Sequence, residues 1–157
     1  MRITHQRLQE MLRYFPSTGV WRWRVSPNNK IKAGTRAGTP TCYGYRQICV
    51  DGKIYLEHIL AWFYMTGTWP KREIDHRNRK RNDNRWRNLR EATPGQNRCN
   101  RIPGANEPGV SWWANRWVVK VKVNRVSHYG GRFVDIAKAN NAARKLRRML
   151  HGEFSCS

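Results

Sequence analysis

The sequence predicts an α+β fold. A hairpin-and-helix part runs into a polar strand–loop–strand–helix segment, and a small three-stranded sheet with one helix follows. Three observations predict it. Asp51-Gly52 lies between the short runs Tyr43 to Val50 and Lys53 to Leu56, and Asp-Gly in that setting is a type I′ hairpin signal. Leu56, Ile59, Leu60 and Phe63 recur at helical spacing, so 56–66 reads as a helix stopped by Gly67. Three strand-like runs, 109–113, 116–124 and 126–133, precede an apolar stripe of Ile136, Ala139, Ala143, Leu146 and Leu150.

In chain order, residues 1–15 read as one amphipathic helix with Ile3, Leu8, Met11, Leu12 and Phe15 as its stripe, broken by Pro16-Ser17-Thr18-Gly19. Val20 to Val25 alternates Val and Trp with Arg, a strand pattern, and the Gly-, Pro- and Asn-rich stretch Ser26 to Pro40 connects it onward. Residues 71–101 are dominated by Arg and Asn and hold few apolar anchors, so their order should come from hydrogen bonds, a metal or bound nucleic acid. Within them, Ile74-Asp75-His76 and Leu89-Arg90-Glu91-Ala92 are strand candidates around a polar loop. Thr93 fits an N-cap, Pro94 the first helical position and Gln96 the third, so a helix starts here with Asn97 in its first turn. Two Pro and one Gly between 101 and 108 mark 102–108 as a linker between domains at 1–101 and 109–157. Beyond it, Asn124-Arg125 is the expected turn, Asp135 the helix cap and Gly152 the helix end. On 116–124, Val119, Val121 and Val123 should face the helix, with Val118, Lys120 and Lys122 on the other side.

Composition narrows the function classes. The 157 residues carry 31 Lys+Arg against 10 Asp+Glu, a net charge of +21. The excess is +7 in each of 1–70, 71–105 and 106–157 (10 against 3, 11 against 4, 10 against 3), so it is not a basic tail. Such a chain concentrates polyanions around itself. Eight Trp, six Tyr and four Phe argue against disorder, and Trp21-Arg22-Trp23-Arg24 interleaves aromatic with basic side chains as folded nucleic-acid binders do. No long basic amphipathic stripe suggests a membrane-surface helix. The Trp residues at 21, 23, 62 and 69 read as core. Cys42, Cys49, Cys99 and Cys156 form no C-x-x-C pair and read as free thiols. Without an apolar N-terminal run or a stretch near about 18 apolar residues, the expectation is a soluble intracellular protein, with no membrane and no obligate protein partner.

The informative residues are Ile74-Asp75-His76-Arg77-Asn78, then Asp83-Asn84-Arg85-Trp86-Arg87-Asn88-Leu89-Arg90, then Thr93-Pro94-Gly95-Gln96-Asn97. An Asp carboxylate and an Asn carbonyl are hard oxygen ligands that suit Mg²⁺, whereas zinc would want Cys or His. His76, titrating near neutrality, suits a general base. Adjacent strand residues face opposite sides, so Asp75 and His76 converge only where the strand ends or bulges. Asn78, Asn82 and Asn84 read as residues that order the loop. His58 reads either as a hydrogen-bonded structural histidine or as a phosphate or leaving-group contact.

The run D-H-x-N…D-N-R-x-x-N-L-R-x-A-T-x-x-x-N resembles the HNH (ββα-metal) endonucleases, most closely the phage- and intron-encoded homing branch. Gly34, Gly38, Gly44-Tyr45, Gly52-Lys53, Tyr55 and His58-Ile59-Leu60-Ala61-Trp62 resemble the upstream part of that branch, so the likeness covers about 14–101. The resemblance implies that Asp75 and Asn97 bind one divalent metal, Mg²⁺ or its substitute Mn²⁺. It implies that His76 is the general base and that Asn88 braces the loop and the histidine. It further implies hydrolysis of double-stranded DNA to 5′-phosphate and 3′-hydroxyl ends, nicking as a monomer, in the cytoplasm of a bacterial host if the source is a phage. The alternatives are a DNA-binding regulator with an inactive HNH half, and a low-specificity phage nuclease.

Gly109-Val110, Trp117-Val118-Val119-Lys120-Val121, Gly131-Arg132-Phe133 and Gly152-Glu153-Phe154 resemble the AP2 DNA-binding domain, three strands on one helix; Ser111 stands where the plant-type pattern has Arg. The outward sheet residues suggest a reader of the DNA groove, with Trp113, Arg116, Lys120, Lys122, Arg125, Tyr129 and Arg132 as contacts, or else a solvated basic face.

Overall fold

The computed structural model describes residues 2–100 and 107–152. The chain divides into two compact units, 1–93 and 94–157. The expected linker residues 102–106, and Glu153, Phe154 and Cys156, lie outside the described residues, as does the side chain of Cys99. Cys42 and Cys49 are free and exposed.

The first unit opens with α1 (His5–Met11), where the Thr4 hydroxyl accepts from the Arg7 amide. The helix stops sooner than its apolar stripe predicts, because Leu12 turns to an extended conformation and β1 (Leu12–Phe15) begins. From Leu12 on, side chains alternate inward and outward, with Leu12 and Tyr14 buried and Arg13 exposed, and the strand pairs antiparallel with β2 (Val20–Trp23). Leu12 and Phe15 continue the helical spacing of Leu8 and Met11 yet lie in the strand; pairing across the Pro16–Gly19 turn decides for the strand. Gly19, at φ +72°, closes that turn, and a Cβ there would stand 2.4 Å from the Asn84 carbonyl carbon. Only glycine lets the hairpin lie against the 84–85 peptide.

The stretch expected to be loop contributes β3 (Thr39–Pro40), an edge strand on β4 (Arg46–Val50). β4 pairs with β5 (Lys53–Leu56) across Asp51-Gly52, both at positive φ as the hairpin motif demands. α2 (Glu57–Thr66) follows directly and ends at Gly67 in the left-handed region. Leu60, Ala61 and Phe63 enter the core with Leu8, Leu12, Trp21, Ile48 and Val50. Aromatic rings fill it: Tyr14 lies 4.8 Å from Trp21 and Phe63 stacks on Trp69 at 4.2 Å. Trp21 and Trp23 are buried and Trp62 and Trp69 pack against the same cluster, as expected of core tryptophans. β6 (Glu73–His76) and β7 (Leu89–Ala92) form a two-stranded ribbon that sends Ile74 and Leu89 into this core.

The second unit contains α3 (Pro94–Cys99), starting at Pro94 as the sequence predicts. Its sheet has the order β10-β9-β8, from β8 (Val110–Trp113), β9 (Arg116–Val123) and β10 (Val126–Phe133), under α4 (Ile136–His151). The Asp135 carboxylate caps α4 by accepting from the Lys138 amide. The buried line on α4 is Ala139, Ala143 and Arg147, whereas Ile136 is exposed. Small side chains bring the helix close to Val119. A half-buried ion pair, Arg147 to Glu107 with Arg144 also donating to Glu107 at 2.7 Å, occupies the helix flank that apolar spacing could not reveal.

Candidate functional site

The first-unit site is built where α2, the 77–88 loop and the β6–β7 ribbon meet. Asp75 and Arg90 are directly opposed across the ribbon, and Arg90 Nε donates to Asp75 Oδ2 at 2.9 Å, with Nη2 2.8 Å from the same oxygen. Both side chains are buried. His76 is the last residue of β6, and its ring meets different neighbours: Asn84 Oδ1 lies 3.0 Å from Nε2, and the rings of His58 and Tyr45 stand 4.9 and 6.0 Å away. The strand ends at His76, which still pairs with Leu89.

Hydrogen bonds order the polar loop, as its composition predicts. Asn88 Oδ1 accepts from the Asn78 amide at 3.0 Å and its Nδ2 donates to the Asp83 carbonyl at 2.7 Å. Asp83 accepts from Asn78 Nδ2 at 2.6 Å and from both Nε and Nη2 of Arg85, which hold its carboxyl down at about 2. The Trp86 indole anchors the loop on α2, 5.2 Å from Trp62. Asn88 therefore braces the loop, while a side-chain bond to the imidazole comes from Asn84.

Asn84 is a correction to the sequence reading. Beyond ordering its loop, it is among the most deeply buried side chains, and its Nδ2 donates to Glu57 Oε2 at 2.9 Å. Glu57 in turn accepts from Arg46 Nε at 3.0 Å. Burial pushes the Glu57 carboxyl up, against the pull of Arg46 and Asn84. Glu57, Asn84 and Arg90 went unrecognised in the sequence. The one available signal was Glu57, a charge beside Leu56, Ile59 and Leu60 on a helix start with no other acidic residue.

Desolvation lowers both histidines of the site. His58 falls to about 3, with His76 adding a little, and His76 falls in the same direction despite the raising effects of Asn84 and Asp75. Both rings are therefore neutral at pH 7. His58 Nδ1 is buried without a hydrogen-bond partner, and its ring packs 5.2 Å from Tyr45. A neutral, ring-packed His58 fits the structural alternative, except that it lacks the hydrogen bond that reading assumed.

Among the described residues, no group of three or more His, Cys, Asp or Glu is placed to hold a metal ion. One carboxylate, Asp75, does not make a closed zinc-type site. A magnesium-type ion asks for less, one or two protein ligands with water on the rest, and at Asp75 it would share the carboxylate with Arg90. Asn97 belongs to the second unit, on α3.

The sheet of that unit brings most of the expected contact residues together. Arg116, Lys120 and Lys122 alternate along β9 on one face; Trp113 opposes Arg116, and Tyr129 opposes Lys120. Arg132 opposes Val118 on the same face and its guanidinium sits 4.9 Å over the Trp113 ring. Arg125 instead occupies the turn after β9, at φ +69°. All seven are exposed. Val118, expected on the exposed side, is buried there between Ser111 and Arg132 on the flanking strands. Among the described residues no helix is long and apolar enough to cross a membrane.

No curated protein and no solved structure matches the chain. Residues 55–102 match the family model of the HNH endonucleases, so the segment carrying Asp75, His76, Asn88 and Asn97 is similar to a nuclease domain whose substrate is DNA.

Proposed function

We propose that this protein is a metal-dependent, homing-type HNH endonuclease that cuts double-stranded DNA at a recognised site. The observation that carries the reading is the juxtaposition of Asp75 with a buried, neutral His76 at the end of β6, inside the stretch that matches the nuclease family. His76 accepts a proton from the water that attacks the phosphorus, and a lowered basicity suits it to start unprotonated at pH 7. Asp75 and Asn97 are the candidate oxygen ligands for a divalent cation, Mg²⁺ or Mn²⁺, which when bound supplies charge neutralisation at the phosphate and the departing 3′ oxygen. Asn88 keeps the loop in register with the ribbon. The products are a 5′-phosphate and a 3′-hydroxyl.

The second unit is proposed as the AP2-like specificity module. Its three strands and capped helix support that reading, with Trp113, Arg116, Lys120, Lys122, Tyr129 and Arg132 on the DNA face and Arg125 at its edge. Lysines there would position the protein on phosphates, and arginines would read bases. One active site per chain makes a monomer a nicking enzyme. The test is incubation of supercoiled plasmid carrying phage or bacterial DNA with Mg²⁺, followed by mapping of the nicks. Nicks at few places, lost in His76→Ala, are expected. Equal nicking by His76→Ala, or tight binding without cleavage across several divalent metals, would remove the proposal; scattered nicks would replace the homing reading with a low-specificity nuclease.

A further inference from the structure

Something must orient the His76 imidazole, and Asn88 does not, since its side chain is committed to the Asn78 amide and the Asp83 carbonyl. A chain of side chains from three separate segments reaches the ring instead. Arg46 on β4 donates to Glu57 Oε1 at 3.0 Å, Asn84 Nδ2 donates to Glu57 Oε2 at 2.9 Å, and Asn84 Oδ1 faces His76 Nε2 at 3.0 Å. Glu57, Asn84 and His76 are all buried. The position of Asn84 is itself fixed twice: Tyr14 Oη donates to its carbonyl at 2.6 Å, and Gly19 packs against its peptide.

The polarity of this chain has one consistent solution. A carboxylate paired with Arg46 only accepts, so the amide must turn its donor end to Glu57 and its acceptor end to His76. An acceptor opposite Nε2 demands a proton on Nε2, and a neutral imidazole then carries its lone pair on Nδ1. We infer that Glu57 and Asn84 are positioning residues that hold the His76 imidazole in the Nε2–H tautomer. The inference rests on the reading of His76 as general base, and it adds which residues of this chain decide the tautomer of its ring. Nothing in the neighbouring sequence of His76 specifies this. The deciding carboxylate comes from α2 and the deciding amide from the loop.

The experiment is nitrogen NMR of the full-length protein labelled at histidine, at neutral pH, with the His76 resonances identified by their loss in His76→Gln. Wild-type His76 carries its proton on Nε2; a proton on Nδ1 overturns the inference without any variant being made. Kinetics of nicking supply the second arm. Asn84→Leu, of similar shape, gives a mixed tautomer and a kcat about 10²-fold lower, the scale of one general base, while KM for DNA stays unchanged. Glu57→Leu, which removes the acceptor that fixes the Asn84 amide, gives the same mixed tautomer and a lowered kcat. A folded Asn84→Leu protein with wild-type kcat overturns the inference. Should Asn84→Leu fail to fold, the wild-type tautomer decides. A wild-type protein that leaves DNA uncut overturns the nuclease reading and this inference together; one that cuts with Nδ1–H on His76 overturns the inference alone.

Discussion

At the scale of single residues, the site sits on two buried polar arrangements with different vulnerabilities. Asp75 and Arg90 face each other at 2.8 Å inside the ribbon, each nearly inaccessible. Replacing one member of such a pair leaves a buried charge poorly compensated, so Arg90→Met should cost about 3–5 kcal/mol, while the double variant Asp75→Asn/Arg90→Met should recover most of it. Urea denaturation of the four proteins of the cycle checks this; additive losses would show that the pair contributes no coupling. His58 makes a pH prediction. Its ordinary value is 6.5 and burial lowers it to about 3, so between these the unfolded chain binds the proton and the folded chain does not. Stability is therefore lost as pH falls through that window, by up to about 1.4 kcal/mol per pH unit for one group. His76 acts in the same direction, and Glu57, raised by burial, acts oppositely above its ordinary 4.5. Thermal melts at pH 7.5 and 5.5 should show a smaller loss in His58→Gln than in wild type; equal losses would contradict the assignment to His58.

At the scale of elements, what is tight is set by backbone approach. The sheet of the second unit bulges between Tyr129 and Gly131, and Gly130 faces the helix there. A Cβ on Gly130 would lie 2.6 Å from Val119 Cγ1 and 3.0 Å from Leu146 Cδ2. Gly130→Ala should therefore force α4 off the sheet at a cost of about 1–3 kcal/mol, measured by denaturant unfolding, whereas Ser127→Ala on the exposed face should be near neutral. Element types were legible in the sequence wherever a turn or cap residue agreed with the apolar period. Asp51-Gly52, Gly67, Asp135 and Pro94 each mark a boundary that the structure has. The α1–β1 boundary was not legible, because Leu8, Met11, Leu12 and Phe15 keep the helical spacing i, i+3, i+4, i+7 across the point where β1 begins to pair.

At the scale of the whole molecule, the net charge of +21 is spread over both units, and its consequence is salt-dependent binding to DNA. If the exposed face of β9 meets phosphates, Lys120→Ala and Lys122→Ala should each weaken binding to specific and random DNA alike. Each should reduce the slope of log K against log salt by about 1. Fluorescence titrations across a salt series check this, and an unchanged slope would leave these lysines in solvent.

The sequence by itself determined the charge, the core aromatics and the elements whose ends carry a turn or cap residue, because each is carried by local spacing or by side-chain chemistry. The tertiary structure alone decided that Asp75 is matched by Arg90, that Arg147 rather than Leu150 continues the buried line of α4, and that Asn84 and Glu57 reach the His76 ring. The physical reason is that a buried polar side chain must find its partner wherever the fold brings one, and residues 57, 76 and 84 become neighbours only after α2, the loop and the ribbon pack on a shared core.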